Sequence, residues 1–220
     1  MSRILVTIIT GFLGSGKTTL LNRILDDPQM SDAAVIVNEF GEIGLDYDLV
    51  ERSDEAIVQL ANGCLCCTVK SDLIDTFRDL HLLRRSGTVP KFDRVIIETT
   101  GIADPVPVMQ IILTNPLVSE IYALDGIVTT VDAVNGATSL DRFAESVKQV
   151  AVADRIILTK GDLVRAPEGV APIMARLRQI NPAAEIIDKA RTRIAPAELF
   201  QSGAIDPETK QLNLQRWLKT

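Results

Sequence analysis

Hydrophobic and polar positions alternate along the chain in blocks, with short β-branched runs separated by amphipathic stretches. The runs Ile4–Ile9, Ala33–Val37, Ala56–Leu60, Arg94–Glu98, Gly126–Val131, Arg155–Thr159 and Ala184–Ile187 are dominated by apolar residues. Such runs suit parallel strands covered on both faces, since a half-exposed strand would alternate strictly. Between them, helical spacing predicts helices over Thr18–Leu25, Asp72–Leu83, Pro105–Leu113, Leu140–Val152 and Val170–Ile180. Strand and helix in alternation predict an α/β three-layer sandwich with a mostly parallel central sheet and right-handed crossovers. One domain is expected over residues 1–195. Residues 196–220, with a polar amphipathic stretch from Gln211 to Trp217, read as a C-terminal helix or tail, the start of a further domain.

Composition narrows the function. The 220 residues are 46% hydrophobic, enough for a substantial core. Lys and Arg number 23 against 29 Asp and Glu, a net charge of −6, so no nucleic-acid partner is expected. No apolar run approaches the roughly 18–20 residues of a membrane span. Residues 1–10 lack a long apolar core and a small-residue cleavage site, and the protein is expected to be soluble, cytoplasmic and without a membrane partner.

The segment Gly11-Phe12-Leu13-Gly14-Ser15-Gly16-Lys17-Thr18 matches the GxxxxGK[ST] phosphate loop and lies between a predicted strand and a predicted helix, the context the motif requires. Gly11, Gly14 and Gly16 let the backbone turn tightly and aim successive N–H groups inward around Ser15, and the helix N-terminus, which includes Thr19, adds partial positive charge. Lys17 is suited to β- and γ-phosphate oxygens, and the Thr18 hydroxyl to Mg²⁺. The fold class is therefore refined to a phosphate-loop NTPase. Arg94–Glu98 ends a strand with an acid, and ligands collect at the carboxyl ends of strands in open α/β sheets, so Glu98 is placed to meet the Mg²⁺ shell directly or through water. In the Thr99-Thr100-Gly101 turn that follows, Gly101 lets backbone approach a γ-phosphate. Thr159-Lys160-Gly161-Asp162, after a later strand, is similar to the [NT]KxD base motif. Its Asp162 can accept both the N1–H and N2–H₂ donors of guanine while the Lys160 stem lies against the base, which favours GTP over ATP.

The three cysteines, Cys64, Cys66 and Cys67, crowd into Asn62-Gly63-Cys64-Leu65-Cys66-Cys67, read as a loop before a helix. Adjacent Cα atoms are about 3.8 Å apart, below the usual disulfide range of about 4.4–6.8 Å. Clustered thiolates beside a helix N-terminus suit a soft or borderline ion such as Zn²⁺. Three thiols leave a tetrahedral ion one ligand short, to be completed by water, by Glu39 or Glu42, or by a partner's residue. A protein that passes metal on would use such an incomplete shell. Buried structural cysteines and a redox sensor are the alternatives.

Together these segments resemble the CobW-like metal-chaperone GTPases, a branch of the phosphate-loop GTPases that also holds urease- and hydrogenase-maturation proteins. The resemblance rests on Ile9–Leu21, on Val37-Asn38-Glu39-Phe40-Gly41-Glu42 as the switch segment, and on the CxCC motif at Cys64–Cys67. Glu98–Pro105 and Ala153–Asp162 extend it, so that it spans residues 4 to about 165 in the family's order. It implies GTP binding and Mg²⁺-dependent hydrolysis, coupled to loading or delivery of Zn²⁺ or Co²⁺ through Cys64, Cys66 and Cys67. The implied recipient is a client metalloprotein or a cobalamin-pathway protein, and a client or a second copy in a nucleotide- or metal-dependent homodimer would complete the site. A γ-phosphate ordering both the Glu39–Gly44 segment and the cysteine loop would close the thiols around an ion. Among acids, Glu39, Asp46 and Glu98 all remain open as the group that positions water.

Two departures from the family stand out. Thr159 replaces the usual Asn, which implies weaker polar bracing around the base with the Asp162 contact kept. The family's C-terminal domain and His-rich stretch are not evident in a chain ending at Thr220 with only His81, so the chain is expected to be the GTPase domain alone. His81 and Trp217 read as packing residues, and Arg84 and Arg85 as a solvated helix end. Two other classes compete with the chaperone reading. A small-molecule kinase would use Lys17, Thr18 and Glu98 without needing the thiols. A thiol redox sensor would hold nucleotide without hydrolysing it.

Overall fold

In a computed structural model, residues 3–30, 32–38, 57–59, 65–68, 73–166, 168–192, 199 and 200 are described. The strands are β1 (Ile4–Gly11), β2 (Ala33–Asn38), β3 (Ile57–Gln59), β4 (Leu65–Thr68), β5 (Arg94–Thr99), β6 (Tyr122–Asp132), β7 (Arg155–Thr159) and β8 (Glu185–Asp188). The helices are α1 (Lys17–Leu25), α2 (Leu73–Ser86), α3 (Val106–Thr114), α4 (Pro116–Ser119), α5 (Gly136–Arg142), α6 (Ala144–Ala151) and α7 (Ala171–Ile180). The eight strands found among the described residues form one sheet in the order β3-β4-β2-β5-β1-β6-β7-β8. Every pairing is parallel except β3 with β4.

Side-chain parity along the strands builds the layers. Ile9, Val35, Val37, Ile96, Val128 and Ile157 pack with Leu20, Leu21, Ile24 and Leu25 of α1 on one face. Ile8, Ile36, Val95, Ile97 and Ile127 pack with α2, α3 and α4 on the other. Val131, Ile156 and Leu158 continue that second face against α5, α6 and α7. The predicted three-layer sandwich with a mostly parallel sheet is the fold observed. Leu199 and Phe200, from the segment expected as a tail, are buried against the α1 face.

The differences from the predicted elements have local causes. The strand expected at Gly126–Val131 runs from Tyr122, because a register irregularity between Val6 and Thr7 accommodates Asp125 as an extra residue. Buried Asp125 then accepts from Arg94 Nη1 at 2.8 Å and Thr7 Oγ1 at 3.3 Å. The single helix expected over Leu140–Val152 is two. Phe143 is extended (φ −128°, ψ 116°), and its ring stacks on Phe12 with centroids 4.6 Å apart. Leu65–Thr68, expected within a loop, is a strand, with Cys66 opposite Val35 and Cys67 opposite Ile36 of β2. Ile57–Gln59 is antiparallel to it, unlike the parallel strand its apolar run suggested. Nor is Arg84 a solvated helix end, since its Nε donates to the Phe92 carbonyl at 2.7 Å and its guanidinium lies over the Phe92 ring. His81 lies on α2, half-buried, and its Nδ1 makes no hydrogen bond.

Candidate nucleotide and metal site

The phosphate loop leaves β1 at Gly11 and enters α1 at Lys17. Gly11 has φ +143°, and a Cβ there would collide with the Thr130 carbonyl and with Ser15 Oγ, so only glycine fits. Ser15 Oγ and Thr130 Oγ1 hydrogen-bond at 2.6 Å, joining the loop to β6. Lys17, buried at the first turn of α1, donates to the Gly11 carbonyl at 2.9 Å and the Phe12 carbonyl at 3.3 Å. Burial lowers its pKa below the ordinary 10.5, and the nearby Glu98 charge offsets part of that effect. Thr18 Oγ1 donates to Glu98 Oε1 at 3.0 Å, although the two residues are 80 positions apart. Thr19, one residue on, is exposed.

Glu98 is buried near the carboxyl end of β5. The Gly101 turn beyond it is pressed against the phosphate loop, because a Cβ on Gly101 would lie 2.7 Å from the Leu13 backbone nitrogen and 2.8 Å from its Cα. The Thr18 and Glu98 oxygens are close enough together to hold one Mg²⁺ between them. Adjacent ligands of an octahedral ion, at about 2.0–2.1 Å from it, are about 3 Å apart, the separation of this pair.

From β7, Thr159 Oγ1 donates to the Ser15 carbonyl at 2.7 Å. Thr159 thus braces the phosphate loop. Lys160 is in the left-handed region (φ 57°), the one such non-glycine among the described residues. Its Nζ bridges the Gly14 carbonyl and Asp132 Oδ2, both at 2.8 Å. Asp162 is exposed in the short 3-10 turn Gly161–Leu163 that follows.

Three residues at this end went unread in the sequence: Thr130, Asp132 and Gln149. Asp132 carries the signal that marked Glu98, an acid closing an apolar strand. It is buried, which raises a carboxyl pKa, but hydrogen bonds from Lys160, Asn135 and Val134 outweigh that and hold it below 3.8. Lys160, Asp132, Ser15 and Gln149 also line a cavity of about 250 Å³ behind the phosphate loop.

The thiol site is only partly visible. Cys66 and Cys67 are on β4, while Cys64, Glu39 and Glu42 lie outside the described residues, as does Asp46. Among the described residues no three His, Cys, Asp or Glu side chains form a metal-holding group. No described helix is long and apolar enough to cross a membrane.

The family model for the CobW/HypB/UreG nucleotide-binding domain matches residues 5–188. The chain belongs to that family. Among its relatives, the zinc chaperone YjiA of Escherichia coli K12 is 41% identical over 182 residues, covering 83% of this chain and 57% of YjiA. The zinc-regulated GTPase metalloprotein activator 1 of Schizosaccharomyces pombe is 38% identical over 196 residues, covering 86% of this chain and 46% of that protein. The crystal structure of Zn(II)-bound YjiA GTPase superposes with a TM-score of 0.77 at 39% identity, over 93% of this chain and 63% of that one. This CobW/HypB/UreG domain therefore spans about half the length of the curated relatives it matches.

Proposed function

We propose that this chain is a GTP-hydrolysing metal carrier. Its Cys64, Cys66 and Cys67 take up a transition metal ion and release it to a client metalloprotein under control of the bound nucleotide. The observation that carries the reading is one of register. Cys66 and Cys67 sit opposite Val35 and Ile36 of β2, and the next residue of β2, Val37, sits opposite Glu98 of β5. Only β2 separates the cysteine strand from the Glu98 strand, a span of about 10 Å. β2 runs on into the Glu39–Gly44 segment, so a γ-phosphate that ordered this segment would act on the element against which the thiols are registered.

GTP is the favoured nucleotide because relatives are named GTPases and because Asp162 follows Lys160 as the base motif requires. Backbone N–H groups of residues 13–18 and the N-terminus of α1 would hold the phosphates, with Lys17 on the β- and γ-oxygens. Thr18 and Glu98 would hold Mg²⁺, which neutralises charge that builds up during phosphoryl transfer. Zinc is favoured over cobalt because the named relatives are zinc chaperones or zinc-regulated. A cytoplasmic location, and a second copy or a client completing the metal shell, complete the proposal.

The test is competition titration of Zn²⁺ and Co²⁺ against a calibrated chelator, with and without Mg²⁺ and a non-hydrolysable GTP analogue. We expect the analogue to tighten Zn²⁺ binding about tenfold, within the usual range of coupling between sites. Cys66→Ser with Cys67→Ser should remove that affinity and leave GDP binding unchanged. Zinc affinity indifferent to nucleotide would sink the gated carrier and leave a redox role for the thiols.

A further inference from the structure

Gln149 is 1% exposed on α6, a helix whose other buried residues are Ser146 and Val150. Its Nε2 forks onto two carbonyls of the turn after β5, Gly101 at 3.2 Å and Ala103 at 3.0 Å. Both partners are acceptors, so the amide nitrogen must face them. Oε1 is then the atom left over, and it is buried without a hydrogen-bond partner. The Gln149 carbonyl also accepts from Thr129 Oγ1 at 2.8 Å, which fixes this point of α6 on β6. A methionine or leucine would fill the same space without stranding an oxygen, so the polar side chain is there for what its nitrogen holds.

What it holds is the Gly101 turn. Thr100 accepts from Ala103 N at 3.2 Å to close that turn, and Gly101 lies against the Leu13 backbone of the phosphate loop. The residue before Gln149 grips the same segment, since Lys148 Nζ pairs with Asp104 Oδ2 at 2.9 Å. Asp104 Oδ1 in turn accepts from Val106 N at the start of α3. The base of α6 is anchored as well, by Asn181 Nδ2 on the Val150, Ala151 and Ala153 carbonyls.

We infer that Gln149 is a positioning residue for the reaction: it holds the Gly101 turn at the height from which its N–H meets the γ-phosphate, without itself touching nucleotide. The inference rests on the GTPase reading proposed above. It predicts a specific signature, because GDP carries no γ-phosphate and makes no use of the turn.

The experiment compares the full chain with Gln149→Met, a variant of similar volume with no donor. The readouts are GDP affinity, affinity for a non-hydrolysable GTP analogue, and the single-turnover rate of GTP hydrolysis. GDP affinity should stay within about twofold of the parent. The analogue should bind about fivefold more weakly and hydrolysis should slow about tenfold. If Gln149→Met fails to fold, Lys148→Met loosens the same turn from the half-exposed side of α6. It should lower analogue affinity about threefold and leave GDP affinity unchanged. Equal weakening of GDP and the analogue, or no change in either, would assign Gln149 a packing role and overturn the inference. A parent chain that neither binds nor hydrolyses GTP would instead overturn the GTPase reading, a result visible before any substitution is made.

Discussion

At the phosphate end of the sheet, side chains reach across strands to brace one another, and on the far side of β2 the backbone of the cysteine strand is paired along both edges. Thr18 meets Glu98, Ser15 meets Thr130, Thr159 meets the Ser15 carbonyl, and Lys160 meets Asp132 and Gly14. The backbone of Cys66 and Cys67 is paired with β2 on one side and with β3 on the other. A contact made by one side chain can be cut by one substitution, but a ladder cannot. The two halves should therefore be separable by mutation, with β2, which lies between them, as the element that the proposed coupling would use.

The largest separation is expected from Lys17→Met. Removing the buried ammonium should slow single-turnover hydrolysis by about 10²–10³-fold, the usual loss for one donor aimed at developing charge. Zinc affinity without nucleotide should be unchanged, and a parallel loss of zinc affinity would show that the two ends are one cooperative site. The same variant tests the buried charge. Lys17 releases its proton more readily in the fold than in the unfolded chain, so it contributes a stability gain as pH rises from its lowered pKa toward 10.5. Denaturant melts over that window should show the gain in the parent and not in Lys17→Met.

A smaller effect is expected from Gly101→Ala. The added Cβ would meet Leu13 N and Cα, backbone atoms that cannot rotate away. The turn or the loop must shift, at about 1–3 kcal/mol for an overpacked contact. GTP-analogue affinity should fall about tenfold while GDP affinity falls less. Unchanged discrimination between the two nucleotides would show that the close approach of turn and loop has no part in sensing the γ-phosphate.

The same contrast explains what the sequence disclosed. The phosphate loop, Glu98 and the Thr159–Asp162 motif were legible because each is a short pattern beside a strand, and strand ends are where an α/β sheet gathers its chemistry. Gln149 was not legible. Its role depends on carbonyls 46 and 48 positions away, and nothing in the local pattern of α6 marks it. At the α5–α6 break, likewise, Phe143 stacks on Phe12, which lies beyond any window that covers Phe143. β4 reads as a loop in the sequence because three clustered cysteines suggest ligands, although cysteine also packs as a small apolar residue and Leu65–Thr68 makes an acceptable strand.

Thr159→Val keeps the shape and deletes the hydroxyl that holds the Ser15 carbonyl at 2.7 Å. The loss should be about 1 kcal/mol of stability, the net worth of one hydrogen bond, with a few-fold weaker GDP binding. Thr159→Asn should restore GDP affinity if the bracing is what matters at this position. If Thr159→Val matches the parent in both measurements, the phosphate loop is held by Ser15 with Thr130 and needs no help from β7.

The smallest effect is expected at Asp132, where a charge pair joins the base motif to β6. Its carboxyl is held below the ordinary value of 3.8, so it binds fewer protons in the fold than in the unfolded chain. The stability it contributes is therefore complete above pH 3.8 and is lost as pH falls through its lower folded pKa. Lys160 is half-exposed, and solvent screening limits the pair to about 0.5–1 kcal/mol. Asp132→Asn should be less stable than the parent by that amount at pH 7 and equal to it near the acid limit. It should also free Lys160 Nζ from one of its two partners and relax its hold on the Gly14 carbonyl, weakening nucleotide binding slightly without changing zinc affinity. A pH-independent difference between the two proteins would mean that the carboxylate charge contributes nothing, and the side-chain bracing that distinguishes the phosphate end would then stop one strand short of Lys160.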